Sequence, residues 1–457
     1  MSKSTVQLDV RQAMWSRRNV LKASAGVLAG IMGAQWLPSL ADELSVPHIV
    51  VVGGGFGGAT VAKYLKLWGK DTVKVTLIEP NAQFMSPIMS GMVITGQLEA
   101  DRISFGYDRL RDVHGVTWVQ DRVTAIDSVA KTVTLEGTEG AVVEPLAYDR
   151  LILSPGIDFV DVPGWDPLKL PHAWGSRAQA DLLQAQLNAF PEGGVFVINV
   201  PTYPFRCPPG PYERASAVAD YLRVKNKNAQ VVVLDTQPDI FVENSLFHAL
   251  YDELGVQYRG NSKITAVNSG QDDGSGRSVT FVTLTRNELG EVTGQSEPET
   301  LNAHVINLIP DNKAAPILYA AGLLDANQLW APIHPLTYRS TVVGKEAIYI
   351  LGDSIESAQS KAGQMANAQA KVCADAMLRE LAGQPIYEHP ITTAGGFAAL
   401  TQTKVNWIGV SYAYDPAANN GAGDMVRTHF ASAPEPSEIH WQPMLQWANN
   451  LFADTFG

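Results

Sequence analysis

Six consecutive residues constrain this chain most: Gly53-Gly54-Gly55-Phe56-Gly57-Gly58. A largely apolar, β-branched run, Val46 to Val52, precedes them and reads as a buried parallel strand. A helical stretch from Ala59 to Leu67 follows, and a second strand, Lys74 to Ile78, ends at Glu79. Strand, Gly-x-Gly-x-x-Gly, helix, strand and terminal acid in that order form a dinucleotide-binding unit. Gly53 makes the tight turn, Gly55 lets the backbone approach a pyrophosphate, and Gly58 lets the helix pack against the strand. Gly57 belongs to the same loop. The helix N-terminus turns its positive end toward the phosphates, and Glu79 accepts from the ribose hydroxyls.

A second α/β unit follows. Val195 to Val200 and Val231 to Leu234 read as strands, the latter ending at Asp235. The first feeds Pro201-Thr202-Tyr203-Pro204-Phe205-Arg206-Cys207-Pro208-Pro209-Gly210-Pro211 rather than a glycine loop. Proline has no amide hydrogen and a fixed φ, so this loop cannot form a glycine-type phosphate cradle. The second unit is therefore expected to keep the nucleotide-binding fold without binding NAD(P)H. Residues 268–300 read as strands with long polar turns. Val305 to Ile309 and Ala347 to Leu351 return as strands, the last ending at Gly352-Asp353, and a helix is expected from about Gly363 to Leu381.

The N-terminus points to a compartment. Ser16-Arg17-Arg18-Asn19-Val20-Leu21-Lys22, a short apolar run from Ala25 to Leu37 and Ser39-Leu40-Ala41 read as a twin-arginine export signal with its cleavage site. The mature protein is expected in the periplasm, without a membrane span. Residues 1–41 carry a net +4 within a chain of net charge −12, leaving −16 on the remainder. Such acidity argues against a nucleic-acid partner. No Cys-x-x-Cys-His haem site and no His/Cys cluster with metal spacing occurs; His172 and His334 stand alone.

These segments resemble a known family. Tyr148-Asp149-Arg150-Leu151-Ile152-Leu153-Ser154-Pro155-Gly156 is similar to the strand that re-enters beside FAD in flavoproteins with two dinucleotide-binding domains. Phe205 to Ser216, Leu77-Ile78-Glu79-Pro80-Asn81, Asn307-Leu308-Ile309-Pro310, and Gly352-Asp353 with Lys361, Gly363, Asn367, Gln369 and Lys371 resemble the flavoprotein subunit of flavocytochrome c sulfide dehydrogenase. That family is related to the sulfide:quinone oxidoreductases. The resemblance implies an α/β fold with two Rossmann-like domains of the FAD-dependent disulfide-oxidoreductase type and a small C-terminal α+β domain. The expected divisions are an export signal at 1–41, an FAD-binding domain at 42–158 and 301–384, a second Rossmann-like domain at 159–300 and an interface domain at 385–457.

The resemblance also implies a function: a small sulfur-containing substrate is oxidised beside FAD, and a c-type cytochrome takes the electrons singly. FAD would be held by Gly53, Gly55, Gly57, Gly58, Glu79, Pro80, Gly156, Gly352, Asp353 and Lys361. Cys207 matches the first of the family's two active cysteines, and Lys361 falls where a cation would stabilise the reduced flavin. Glu213 is a proton acceptor beside Cys207 or a partner of Arg214, and Arg206 or the flavin would lower the Cys207 pKa. Three positions depart from the family. Pro87 stands where a flavin-tethering cysteine is common, so FAD is expected to be non-covalent. Ala398 is the best match to the second active cysteine. Cys373 lies in a helix where a small apolar residue is usual. Two other functions stay open: a flavin dehydrogenase for another donor, such as an organic thiol, and an FAD-binding partner subunit without turnover.

Overall fold

The computed structural model describes residues 46–137 and 144–457. The export signal expected at 1–41 lies outside the described residues.

The β-branched runs pair as the sequence reading requires. A five-stranded parallel sheet has the order Ile348–Ile350, Arg150–Leu153, His48–Val52, Lys74–Ile78, Thr117–Val119. Its register sets Val52 opposite both Ile78 and Leu153, and Leu153 opposite Ile350. The residues that follow these strands, namely Gly53, Glu79, Ser154 and Leu351-Gly352, therefore emerge together at one carboxyl edge. That edge is where open parallel sheets bind their ligands.

The second unit is a four-stranded parallel sheet ordered Val256–Arg259, Gln230–Asp235, Val195–Val200, Val305–Asn307. Strand Val305–Asn307 lies beside Val195–Val200, with Val197 opposite Ile306. The return to the first unit therefore comes after this strand and not at residue 301, because its parallel pairing completes the second sheet. The polar turns at 268–300 connect antiparallel strands Ser278–Arg286, Val292–Gln295 and Glu299–Asn302.

The C-terminal segment folds as the antiparallel sheet Ile391–Ala399, Val405–Asp415, Asp424–Ser432, followed by helix Trp441–Phe456. This helix returns to the first unit. Phe452 stacks on Phe56 at 6.3 Å, and Phe456 lies 5.6 Å from Phe84 and 5.0 Å from Phe105. Asn367, in helix Gly363–Leu381, donates to Thr60 (2.9 Å), Asp454 (2.8 Å) and Thr455 (3.2 Å), while Lys371 pairs with Asp454 at 2.6 Å. Polar contacts thus fasten the chain's end to helices Phe56–Gly69 and Gly363–Leu381. Among the described residues no helix is long and apolar enough to cross a membrane.

Candidate functional site

The carboxyl edge of the first sheet opens into a cavity of about 930 Å³, at the upper end of the size range of cofactor and ligand sites. Gly53 has φ +98°, and a Cβ there would meet the Ser154 carbonyl oxygen at 2.4 Å. A Cβ at Gly58 would meet the Gly53 carbonyl oxygen at 1.8 Å, so helix Phe56–Gly69 can approach its strand only with glycine there. A Cβ at Gly55 would meet only the Phe84 ring, at 3.4 Å, on the cavity side. The helix has no side-chain cap and no acid in its first turn, so its positive end is left for an anion.

Glu79 sits at the end of its strand and lines the cavity. One carboxylate oxygen accepts from the Gly54 amide (2.8 Å) and the other from the Asn81 amide (3.0 Å) and side chain (2.7 Å). These bonds hold the carboxylate at the cradle's rim. Gly156 (φ +76°) and Gly352 (φ +84°) line the cavity with Asp353. Gln369 accepts from the Gly352 amide at 2.9 Å. Pro80 is not among the lining residues and shapes the turn behind Glu79. Gly58 serves packing. Uncapped amides, a rim carboxylate and glycines at each close approach fit a dinucleotide such as FAD. Pro87 lines the same cavity.

The second unit contributes the far wall. Cys207 lies between strand Val195–Val200 and helix Gly210–Val224, with φ +55°. A left-handed non-glycine residue costs about 1–3 kcal/mol and persists only where neighbours hold it. Here its amide donates to the Lys361 carbonyl (2.8 Å), and its own carbonyl accepts from the Gly210 amide (2.8 Å). Burial pushes its thiol pKa up, the nearby Glu213 carboxyl adds to this, and the Gly210 amide and Arg214 oppose it. Arg206, expected to act on the thiol, is otherwise engaged. It pairs with Asp353 at 2.6 Å and donates to the Trp174 carbonyl at 3.1 Å, tying the Cys207 loop to the Gly352-Asp353 loop.

Glu213 lines the cavity in the first turn of its helix. Burial first, then the like charge of Glu243, push its pKa up to about 8, against the pull of Arg214. No ion pair joins Glu213 to Arg214 within 4 Å among the described residues. Sequence reasoning gave Arg214 no role beyond that pairing. The residue is 6% exposed; its guanidinium lies 4.7 Å over the Trp174 ring and donates to the His172 carbonyl (3.3 Å) and Asn307 (3.2 Å), while its Nε has no partner. Only the register of the cavity helix shows that it shares a chamber with Cys207. His172 also lines the cavity, and burial, then Arg214 and Arg206, lower its pKa to about 4.

The ammonium of Lys361, expected as a cation at the flavin, turns to backbone carbonyls. Its side chain is buried and not among the lining residues; the ammonium donates to the carbonyls of Asp353 (3.0 Å) and Ile355 (2.7 Å) and lies 3.6 Å over the Trp330 ring. Trp330 and two free carbonyls behind the loop draw it away from the cavity. Burial lowers its pKa to about 7. Its carbonyl, not its ammonium, reaches the site, through Cys207. Cys373 is fully buried in helix Gly363–Leu381 and does not line the cavity. Tyr338 is buried with its hydroxyl 3.2 Å from Gln359, and neither it nor His334 lines the cavity.

The C-terminal segment, read as an interface domain, forms a cavity wall through Gly395, Gly396, Ala398, Tyr412, Arg427 and Trp447. Gln364 fixes it there, accepting from the Gly395 amide (2.7 Å) and the Trp447 indole (2.8 Å). No group of three or more His, Cys, Asp or Glu able to hold a metal occurs among the described residues.

Comparison with known proteins agrees with this geometry. Residues 180–310 match the family described as sulfide dehydrogenase [flavocytochrome c] flavoprotein chain, central. Residues 47–188 match pyridine nucleotide-disulphide oxidoreductase. The mitochondrial sulfide:quinone oxidoreductase of Dictyostelium discoideum is 23% identical over 399 residues, 82% of each chain. The sulfide dehydrogenase [flavocytochrome c] flavoprotein chain of Chlorobaculum thiosulfatiphilum is 49% identical over 46 residues, 10% of this chain and 94% of that one. In fold, the sulfide:quinone oxidoreductase of Aquifex aeolicus superposes with a TM-score of 0.70 at 16% identity, covering 90% of this chain and 91% of that one.

Proposed function

The chain belongs to the FAD-binding flavoproteins related to flavocytochrome c sulfide dehydrogenase and sulfide:quinone oxidoreductase, and on that premise we propose that it oxidises a reduced sulfur compound at Cys207 and passes the electrons to a c-type cytochrome. The observation that carries this reading is a single cavity lined by both the dinucleotide cradle and Cys207. FAD supplies an acceptor that takes two electrons together and gives them up singly.

The chain's own residues do the rest. The uncapped helix end and Glu79 would hold the pyrophosphate and ribose of a non-covalently bound FAD. Gly156, Gly352 and Asp353 shape the cleft between cradle and thiol. Cys207 presents its sulfur from a loop held by Lys361 and Gly210. Arg214 offsets negative charge on that sulfur. Glu213, protonated below about pH 8, gives or takes the proton that thiol chemistry moves. The described residues add no second cavity cysteine, so a disulfide within the chain is not part of the cycle. The leader reading places the enzyme in the periplasm, where a soluble cytochrome is accessible.

The test is anaerobic electron flow. Holoprotein, a reduced sulfur donor and oxidised cytochrome c are mixed and cytochrome reduction is followed. The reading predicts reduction that needs both donor and flavoprotein. Donor-reduced flavin that leaves the cytochrome oxidised would refute the acceptor, and flavin left oxidised by every sulfur donor would favour the partner subunit without turnover.

A further inference from the structure

A disulfide at Cys207 needs a second sulfur. The chain has two cysteines, and Cys373 is shut inside a helix away from the cavity. The second sulfur must therefore enter with the substrate, and the walls indicate what carries it.

Among the cavity's lining residues are Tyr203, from the Cys207 loop, and Phe241, Phe430 and Arg427. Tyr203 and Phe241 stand 5.3 Å apart and are 52% and 42% exposed; Phe430 is 43% exposed. The Arg427 guanidinium lies 5.8 Å from the Phe430 ring and has no ion-pair partner among the described residues. Deeper in, Arg214 stands beside Cys207 with its Nε unpartnered. Gly395, Gly396 and Ala398 line the same cavity with little or no side chain. Hydrosulfide is a single heavy atom with no apolar body for the rings. Clustered exposed rings around an unpaired guanidinium suit an organic body with an anionic end.

We propose that the Cys207 side of this cavity takes a small organic thiol bearing a carboxylate, with its sulfur at Cys207 and its carboxylate at Arg427. The proposal rests on sulfur oxidation at Cys207 and names its substrate class. The thiol and Cys207 lose their S–H hydrogens and form one S–S bond. The electron pair goes to the flavin, the named oxidant, and two protons leave, one through Glu213. A second thiol then attacks the mixed disulfide, releases the substrate disulfide and restores the Cys207 thiol.

The probes are mercaptoacetate and ethanethiol, two-carbon thiols that differ in a carboxylate against a methyl group. Anaerobic holoprotein is titrated with each; flavin absorbance gives the half-saturating concentration, and intact mass gives the adduct on Cys207. The expected result is a mercaptoacetate adduct absent from Cys207→Ser, and half-saturation roughly tenfold lower than for ethanethiol, as one charged contact provides. Arg427→Gln should erase that preference and Arg427→Lys should restore part of it. Equal half-saturation for the two thiols, or a preference that survives Arg427→Gln, would overturn the proposal while sulfide still bleaches the flavin. Failure of sulfide and both thiols alike would overturn sulfur oxidation at Cys207 itself, and this proposal with it.

Discussion

Replacing Glu213 by glutamine should stabilise the protein, and by more as pH rises. The carboxyl is lifted from 4.5 to about 8, mainly by burial and secondly by Glu243. The folded protein therefore holds a proton that the unfolded chain releases, and stability falls as pH rises between those values. The full shift corresponds to roughly 5 kcal/mol above about pH 9, about 3 at pH 7 and about 2 at pH 6. Glutamine has nearly the same shape and no charge, so Glu213→Gln removes the slope. The assay is urea unfolding of holoprotein followed by tryptophan fluorescence at these three pH values, for both proteins. A stability gap that widens by roughly 3 kcal/mol from pH 6 to pH 9 supports the reasoning. A gap independent of pH, or a destabilised variant at pH 9, would refute it. The same variant should lower the pH at which Cys207 is alkylated, because the Glu213 carboxylate opposes the thiolate.

Other consequences are open to direct measurement. Gly58→Ala places a methyl 1.8 Å from the Gly53 carbonyl oxygen; the variant should lose about 3 kcal/mol or more of stability and elute from gel filtration without flavin. Lys361 is depressed from 10.5 to about 7, so its burial costs stability in full below pH 7 and the cost fades as pH rises toward 10.5; Lys361→Met should flatten that rise in unfolding titrations. Arg214→Gln should shift the Cys207 alkylation profile to higher pH, since Arg214 favours the thiolate. Acid precipitation of the holoprotein should release all its FAD into the supernatant, as Pro87 offers no thiol.

The parts of this site that backbone spacing dictates were legible in the sequence. Gly53, Gly55 and Gly58 follow from what a strand-to-helix turn permits, and Glu79 from the end of a strand of known length. The two sheets followed from β-branched runs, and helix Gly363–Leu381 has the predicted limits. Side-chain direction was not legible. Lys361 turns away because Trp330, 31 positions earlier, lies behind its loop, and no local pattern shows such a contact. The second unit extends past residue 301 because pairing of Val305–Asn307 with Val195–Val200 is a long-range choice. The C-terminal segment read as an interface because its aromatic residues gave no period. Its place as a cavity wall depends on Gln364 bonding to Gly395 and Trp447. Arg214 was legible only as a partner for Glu213 and Arg427 carried no signal, until the fold set both on one chamber.

The most direct test of the account is rapid anaerobic mixing of a reduced sulfur donor with holoprotein, reading flavin absorbance in the wild type, Cys207→Ser and Cys373→Ser. Sulfur oxidation at Cys207 predicts bleaching in the wild type and Cys373→Ser and its loss in Cys207→Ser. Bleaching that persists unchanged in Cys207→Ser would contradict it.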